Sequence, residues 1–258
     1  MSFFFHAQVR HAAAALAVAL SLVLPAHAAG LLVWSAGAVK PALEELAPQF
    51  EKASGWQLTV QYAPVGVLMR RLAEGTQPDV LILSADVVQE VETKGWVPRG
   101  TATPLGSVGV GIAIKQGAAL PDVSSPDALR KTLLAAQTLT YMDPQKGTSG
   151  KHFASVLEQL GIADQVRAKT TLGDLGYVLE PVARGEIEMG VQQITEILPV
   201  NGAVLVGPLP PSLQKITTYS IMATVKAGDM AAASQLRKFL QTPEATAIFK
   251  RKGFMVDR

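Results

Sequence analysis

The chain has 258 residues, 48% of them hydrophobic and 17% charged, with a formal charge of +2 and no cysteine. That balance excludes a disordered chain, since burial can offset chain entropy. The near-neutral charge argues against a nucleic-acid binder, and the missing thiols exclude disulfides and the usual structural zinc sites.

Met1 to Arg10 carries a single cation, and Ala12 to Leu24 is an uncharged apolar run broken by Pro25. Ala26-His27-Ala28 then places small residues at the two positions a signal peptidase reads. This is the order of a secretory signal, and the apolar run is too short to span a bilayer comfortably. Residues 1–28 are therefore expected to be removed, leaving an exported, periplasmic chain that starts near Ala29. Arg10 leaves with the signal, which lowers the formal charge from +2 to +1. His6, His11 and His27 leave too, so His152 is the one histidine of the mature chain. No metal site and no cofactor are expected. The chemistry must come from hydroxyls, amides, backbone groups, carboxylates and single cations.

The mature chain alternates strands and helices. Leu31–Ser35 reads as a buried strand, and Val39, Ala42, Leu43, Leu46 and Phe50 recur at helical spacing before Gly55. Strand 58–62, helix 67–74, strand 79–84 and helix 87–94 follow, the helices closed by Gly75 and Gly95. After a loop rich in Pro, Gly and Thr, 107–114 reads as one strand. Ser125-Pro126-Asp127 is a helix start, with a hydroxyl cap, proline at the first helical position and an acid in the first turn. Strand 138–142, helices 149–160 and 175–184, and strands 188–193, 203–206 and 216–225 come next. Helices 230–240 and 243–252 end the chain. Such alternation predicts an α/β fold of mostly parallel sheets flanked by helices, in two blocks.

Four strand-to-helix turns share one composition: Ser35-Ala36-Gly37-Ala38, Ala63-Pro64-Val65-Gly66, Gly147-Thr148-Ser149-Gly150 and Gly173-Asp174-Leu175-Gly176. Helix N-termini present unpaired N–H groups, so small turns of this kind can hold an anion without a cationic side chain. Ligands of open α/β sheets also gather at the carboxyl ends of strands, where these turns lie. Glycine and serine equally serve as ordinary turn and cap residues. His152 stands near the start of the third of these helices and is a candidate general base. Lys40, Arg70, Arg71 and Lys151 are cations near the same turns.

Five stretches carry a resemblance to a known family. They are Val33-Trp-Ser-Ala-Gly-Ala-Val-Lys-Pro-Ala-Leu43, Gln77-Pro-Asp-Val-Leu-Ile-Leu-Ser-Ala-Asp86, Asp143-Pro-Gln-Lys-Gly-Thr-Ser-Gly150, Val182-Ala-Arg-Gly-Glu-Ile-Glu-Met-Gly190 and Phe249-Lys-Arg-Lys-Gly-Phe254. In this order and spacing the chain resembles the periplasmic molybdate-binding proteins of ABC transporters, within the class II periplasmic binding fold. The resemblance implies two lobes with a ligand cleft: 29–106 plus 218–258 as the first lobe and 107–217 as the second. It departs from the family at three contacts. Ala38 and Val65 stand where the molybdate binders place serines, and Gln193 stands where they place a tyrosine. The stretch Gly190-Val-Gln-Gln-Ile-Thr-Glu-Ile-Leu-Pro-Val200, with Gly207-Pro-Leu-Pro210 and Gln214, is similar to a divergent branch that includes periplasmic aconitate isomerases.

The candidate ligand contacts are thus Ser35, Gly37, Ala38, Val65, Gly66, Thr148, Ser149, Gly150, Leu175, Gln192 and Gln193. The expected function is capture of a small anion in an interlobe cleft, either a molybdate-like oxyanion or, in preference, an organic carboxylate, by a monomeric solute-binding protein that serves an ABC permease. The alternative is an isomerase of the aconitate type using the same cleft. Whether an ionisable group faces the cleft separates the two.

Overall fold

A computed structural model describes residues 30–174 and 178–257. The expected signal segment 1–28 lies outside these residues, as does Leu175. Among the described residues no helix is long and apolar enough to cross a membrane.

Ten strands form two five-stranded sheets. The strands are β1 (Gly30–Ala36), β2 (Gln57–Ala63), β3 (Val80–Ser84), β4 (Thr103–Val108), β5 (Val110–Lys115), β6 (Leu139–Met142), β7 (Thr170–Gly173), β8 (Met189–Gln193), β9 (Ala203–Pro208) and β10 (Thr217–Ala223). Their orders are β2-β1-β3-β10-β4 and β7-β6-β8-β5-β9. In each sheet four strands share a direction and one opposes them, β10 in the first and β5 in the second. Each opposed strand follows directly on a crossing of the chain from one sheet to the other.

The helices are α1 (Lys40–Ser54), α2 (Val65–Ala73), α3 (Val88–Thr93), α4 (Pro126–Ala135), α5 (Thr148–Gln159), α6 (Ala163–Arg167), α7 (Glu180–Arg184), α8 (Ile194–Ile197), α9 (Met230–Phe239) and α10 (Pro243–Arg251). The cap expected at Ser125 is present, its hydroxyl accepting from Ala128 N–H at 3.1 Å. One apolar core joins β1–β4 and β10 to α1, α2, α9 and α10 through residues such as Leu43, Phe50, Leu68, Ile82, Leu236 and Phe249. A second gathers Ile112, Leu129, Tyr141, Phe153, Val156 and Val191 around the other sheet.

The stretch 107–114, expected as one strand, is two strands in different sheets, broken at Gly109. The reason is local. The Gln214 side chain grips Val110, accepting from its N–H at 2.9 Å and donating to its carbonyl at 2.8 Å. A Cβ on Gly109 would sit 3.0 Å from the Gln214 amide, so glycine lets the two crossing segments lie against each other. Periodicity could not show this, because the apolar alternation runs through the break. The described part of the expected helix 175–184 is α7 alone.

Gly150 was expected to approach a ligand, and the structure gives it a different neighbour. A Cβ there would stand 1.8 Å from the Met142 carbonyl oxygen, a backbone atom that cannot swing aside. The residue lets α5 seat on β6. Gly150→Ala should therefore destabilise by about 3 kcal/mol, a drop of roughly 10 °C in Tm for a chain of this size. Thermal denaturation followed by circular dichroism checks this, and an unchanged Tm would contradict the packing described.

Candidate functional site

The carboxyl ends of β1 and β2 face the start of α5 across a cavity of about 300 Å3, at the small end of ligand pockets. The first sheet and its helices contribute Ala36, Gly37, Ala38, Lys40, Tyr62, Ala63, Pro64, Val65 and Tyr219. The second contributes Met142, Gly147, Thr148, Ser149 and Glu196. Gly147 caps α5 without any side-chain bond, so the first N–H groups of that helix are left for a ligand or water. Outside this cavity lies a more open recess of about 670 Å3 that includes Gly66, Lys146, Lys151, His152 and Lys215.

Five of the sequence candidates meet at the inner cavity: Gly37, Ala38, Val65, Thr148 and Ser149. Gly66 faces the outer recess, and its N–H donates to Lys146 O at 2.8 Å across the cleft. That donor joins the lobes. Ser35 is fully buried, with its hydroxyl donating to Ala36 O at 3.1 Å, and it is not part of the cavity wall. Gln192 and Gln193 stand behind the wall. The Gln192 carbonyl oxygen accepts from Val178 N–H, and the Gln193 amide donates to the Tyr219 hydroxyl, both at 3.3 Å. His152 sits in the outer recess with Nε2 2.8 Å from Leu213 O. Desolvation holds its pKa below the ordinary value, outweighing that bond. Of the cations, Lys40 reaches the inner cavity, 3.6 Å from Glu44 and 5.8 Å from the Tyr62 ring centre. Arg70 lines neither recess, and Arg71 stacks over Trp34 at 5.7 Å.

Sequence reasoning passed over Glu196 and Tyr219. Glu196 lies on the single turn of α8, which continues β8 beyond Gln193, and is 7% exposed. Its Oε1 lies 2.6 Å from where a Cβ on Gly37 would stand. Gly37 thus admits the carboxyl group to the seam between the lobes. Desolvation raises the Glu196 pKa to about 8, the Gln192 amide offsetting part of the rise without a hydrogen bond of normal geometry. Near neutral pH the group is chiefly a carboxylic acid, able to donate a hydrogen bond. Tyr219 is buried, its pKa also raised by desolvation first and by Glu196 second, and its hydroxyl lies 3.3 Å from Thr148 Oγ1. The available signal was an acid placed inside the apolar run Ile194-Thr-Glu-Ile-Leu198.

The chemistry of this wall is mixed. Lys40, Ser149, Thr148, the tyrosines and the helix N–H groups donate, while Ala36, Ala38, Ala63, Pro64, Val65 and Met142 present hydrocarbon. The Glu196 shift also makes a prediction about stability. Folding raises this pKa from 4.5 to about 8, so the native state holds a proton that the unfolded chain releases in between. The associated stability is fully present below pH 4.5 and is lost as pH rises through about 8. Glu196→Gln, isosteric and neutral, should match the wild type at pH 4.5 and melt roughly 10–20 °C higher at alkaline pH. Parallel melting curves across that range would contradict the buried, protonated state.

Comparison with known proteins agrees with this architecture. Residues 31–255 match the family model described as bacterial extracellular solute-binding protein. An aconitate isomerase from Pseudomonas sp. is 31% identical over 229 residues, 86% of each chain. The molybdate-binding protein ModA of Escherichia coli (strain K12) is 26% identical over 249 residues, 95% of this chain and 96% of the relative. Among solved structures, the periplasmic molybdate-binding protein of Azotobacter vinelandii superposes with a TM-score of 0.76 at 19% identity, covering 88% of this chain and 100% of that one. With two sheets, an interlobe cavity and a family match over nearly all of the described chain, this protein belongs to the bacterial extracellular solute-binding protein family.

Proposed function

We propose that the chain is exported by its N-terminal signal and captures a small organic carboxylate in the inner cavity for delivery to an ABC permease. The apolar share of the cavity wall carries this reading. A tetrahedral oxyanion has acceptor atoms on every side and is held by donors all round, whereas alanines, proline, valine and methionine supply none. An organic anion sets its hydrocarbon against those faces and its carboxylates against Lys40, Ser149 and the start of α5. Ala38 and Val65 line the cavity, where the resemblance to molybdate binders led us to look for serines. Two lost hydrogen bonds to a charged ligand cost about 1.5–3 kcal/mol each, or two to four orders of magnitude in affinity.

A second reading is favoured by one observation. Glu196 places an ionisable group on the cavity wall, which a carrier does not require and an isomerase of unsaturated carboxylates does. The relative of that activity is 31% identical.

Titration calorimetry under one salt condition tests the ligand class. Citrate or an aconitate should bind at least about tenfold tighter than molybdate, and Lys40→Met should weaken the carboxylate by about 10- to 100-fold. Submicromolar molybdate binding without any response to carboxylates would overturn the proposal.

A further inference from the structure

We propose that Glu196 is the acid–base residue of an allylic proton transfer, moving one proton between two carbons of an unsaturated polycarboxylate held in the inner cavity. The inference rests on the carboxylate reading of that cavity. Glu196 supplies the one carboxyl group among the lining residues. None of the ion pairs among the described residues includes it. Buried carboxyl groups that serve a fold are normally paired, because desolvation is otherwise uncompensated. Here the fold does the opposite: it removes the Cβ at Gly37 and brings an unpaired acid to the seam where a ligand would be enclosed. The remaining lining groups are poor bases. Lys40 is a cation, and burial pushes the pKa values of Tyr62 and Tyr219 up. His152, the candidate base in the sequence, is outside the cavity with its Nε2 against a carbonyl.

The step balances without any co-reactant. The Glu196 carboxylate takes a proton from the saturated carbon next to the double bond, so that a C–H bond breaks and an O–H bond forms. The freed electron pair becomes the new C=C bond, and the former double bond passes its pair onto the conjugated carboxylate. That charge lies toward Lys40 and the N-terminus of α5. Glu196 then returns the proton to the far carbon, the double bond has moved one position, and the residue is ionised as at the start. No atom is oxidised or reduced overall. A raised pKa suits both halves, since the group is a stronger base than an ordinary carboxylate and still releases its proton.

The test uses the full mature chain with cis-aconitate in deuterated buffer, followed by proton NMR, and calorimetry of the same ligand alongside. The wild type should form the trans isomer, with deuterium entering at carbon only as far as the Glu196 O–H exchanges with solvent before the proton is returned. Glu196→Gln should slow isomer formation by about 100-fold or more while binding cis-aconitate within a few-fold of wild type and retaining its native circular dichroism spectrum. His152→Asn should form the trans isomer at the wild-type rate. If the wild type binds without forming the trans isomer, or Glu196→Gln forms it at the wild-type rate, the catalytic assignment is overturned and the carboxylate reading stands. If no carboxylate binds, both fall together.

Discussion

The carboxyl group of Glu196 is enclosed where the two sheets meet, with no cation paired to it among the described residues, and much of the site follows from keeping it there. Burial of the ion would be costly, so the group holds its proton to about pH 8. A Cβ on Gly37 would stand 2.6 Å from the carboxyl oxygen, so a side chain there would displace the acid from its present position. A neutral acid leaves Lys40 and the helix N–H groups to set the potential of the cavity, which then favours an anion. An ionised Glu196 would cancel much of that attraction.

Contacts between the lobes are made by groups adjacent to the same cavity. The Gly66 N–H meets Lys146 O, and a Cβ on Gly66 would press within 2.9 Å of that oxygen. Tyr219, on β10 of the first sheet, has its hydroxyl between Thr148 and Gln193 of the second. Lys215 reaches Asp86 at 2.6 Å on the exposed rim. That rim pair is solvent-screened and contributes little, whereas the buried phenol joins cavity floor to lobe closure. Tyr219 and the turn at Gly66 thus tie the two lobes together beside the cavity. Gly66 is better understood as a contact between lobes than as a ligand donor.

Most of the order of strands and helices was legible in the sequence from apolar periods and glycine or proline stops, whereas the short elements α6, β7 and α8 were not. The turns at Gly37, Val65 and Thr148 were legible as neighbours because strand ends in α/β sheets converge on one edge, and they line one cavity. Other features depend on tertiary contacts that periodicity cannot express. The break at Gly109 is made by Gln214, more than a hundred positions away in the chain. The role of Gly150 is set by the Met142 carbonyl, and Ser35 turns into the core by the alternation of β1. Gln192 and Gln193 drew notice as adjacent amides, yet the residue that lines the cavity is Glu196, three positions on, in a turn of helix too short to be read from its pattern.

Proton linkage tests the central claim most directly. Titration calorimetry of a carboxylate in two buffers of different ionisation enthalpy counts the protons exchanged on binding. A bound anion beside Glu196 raises the pKa of that acid further, which predicts proton uptake at and above pH 8, and its loss in Glu196→Gln. Binding with no proton uptake in that range would mean that the acid stays ionised beside the ligand, or that the ligand sits away from it, and would contradict the cavity described.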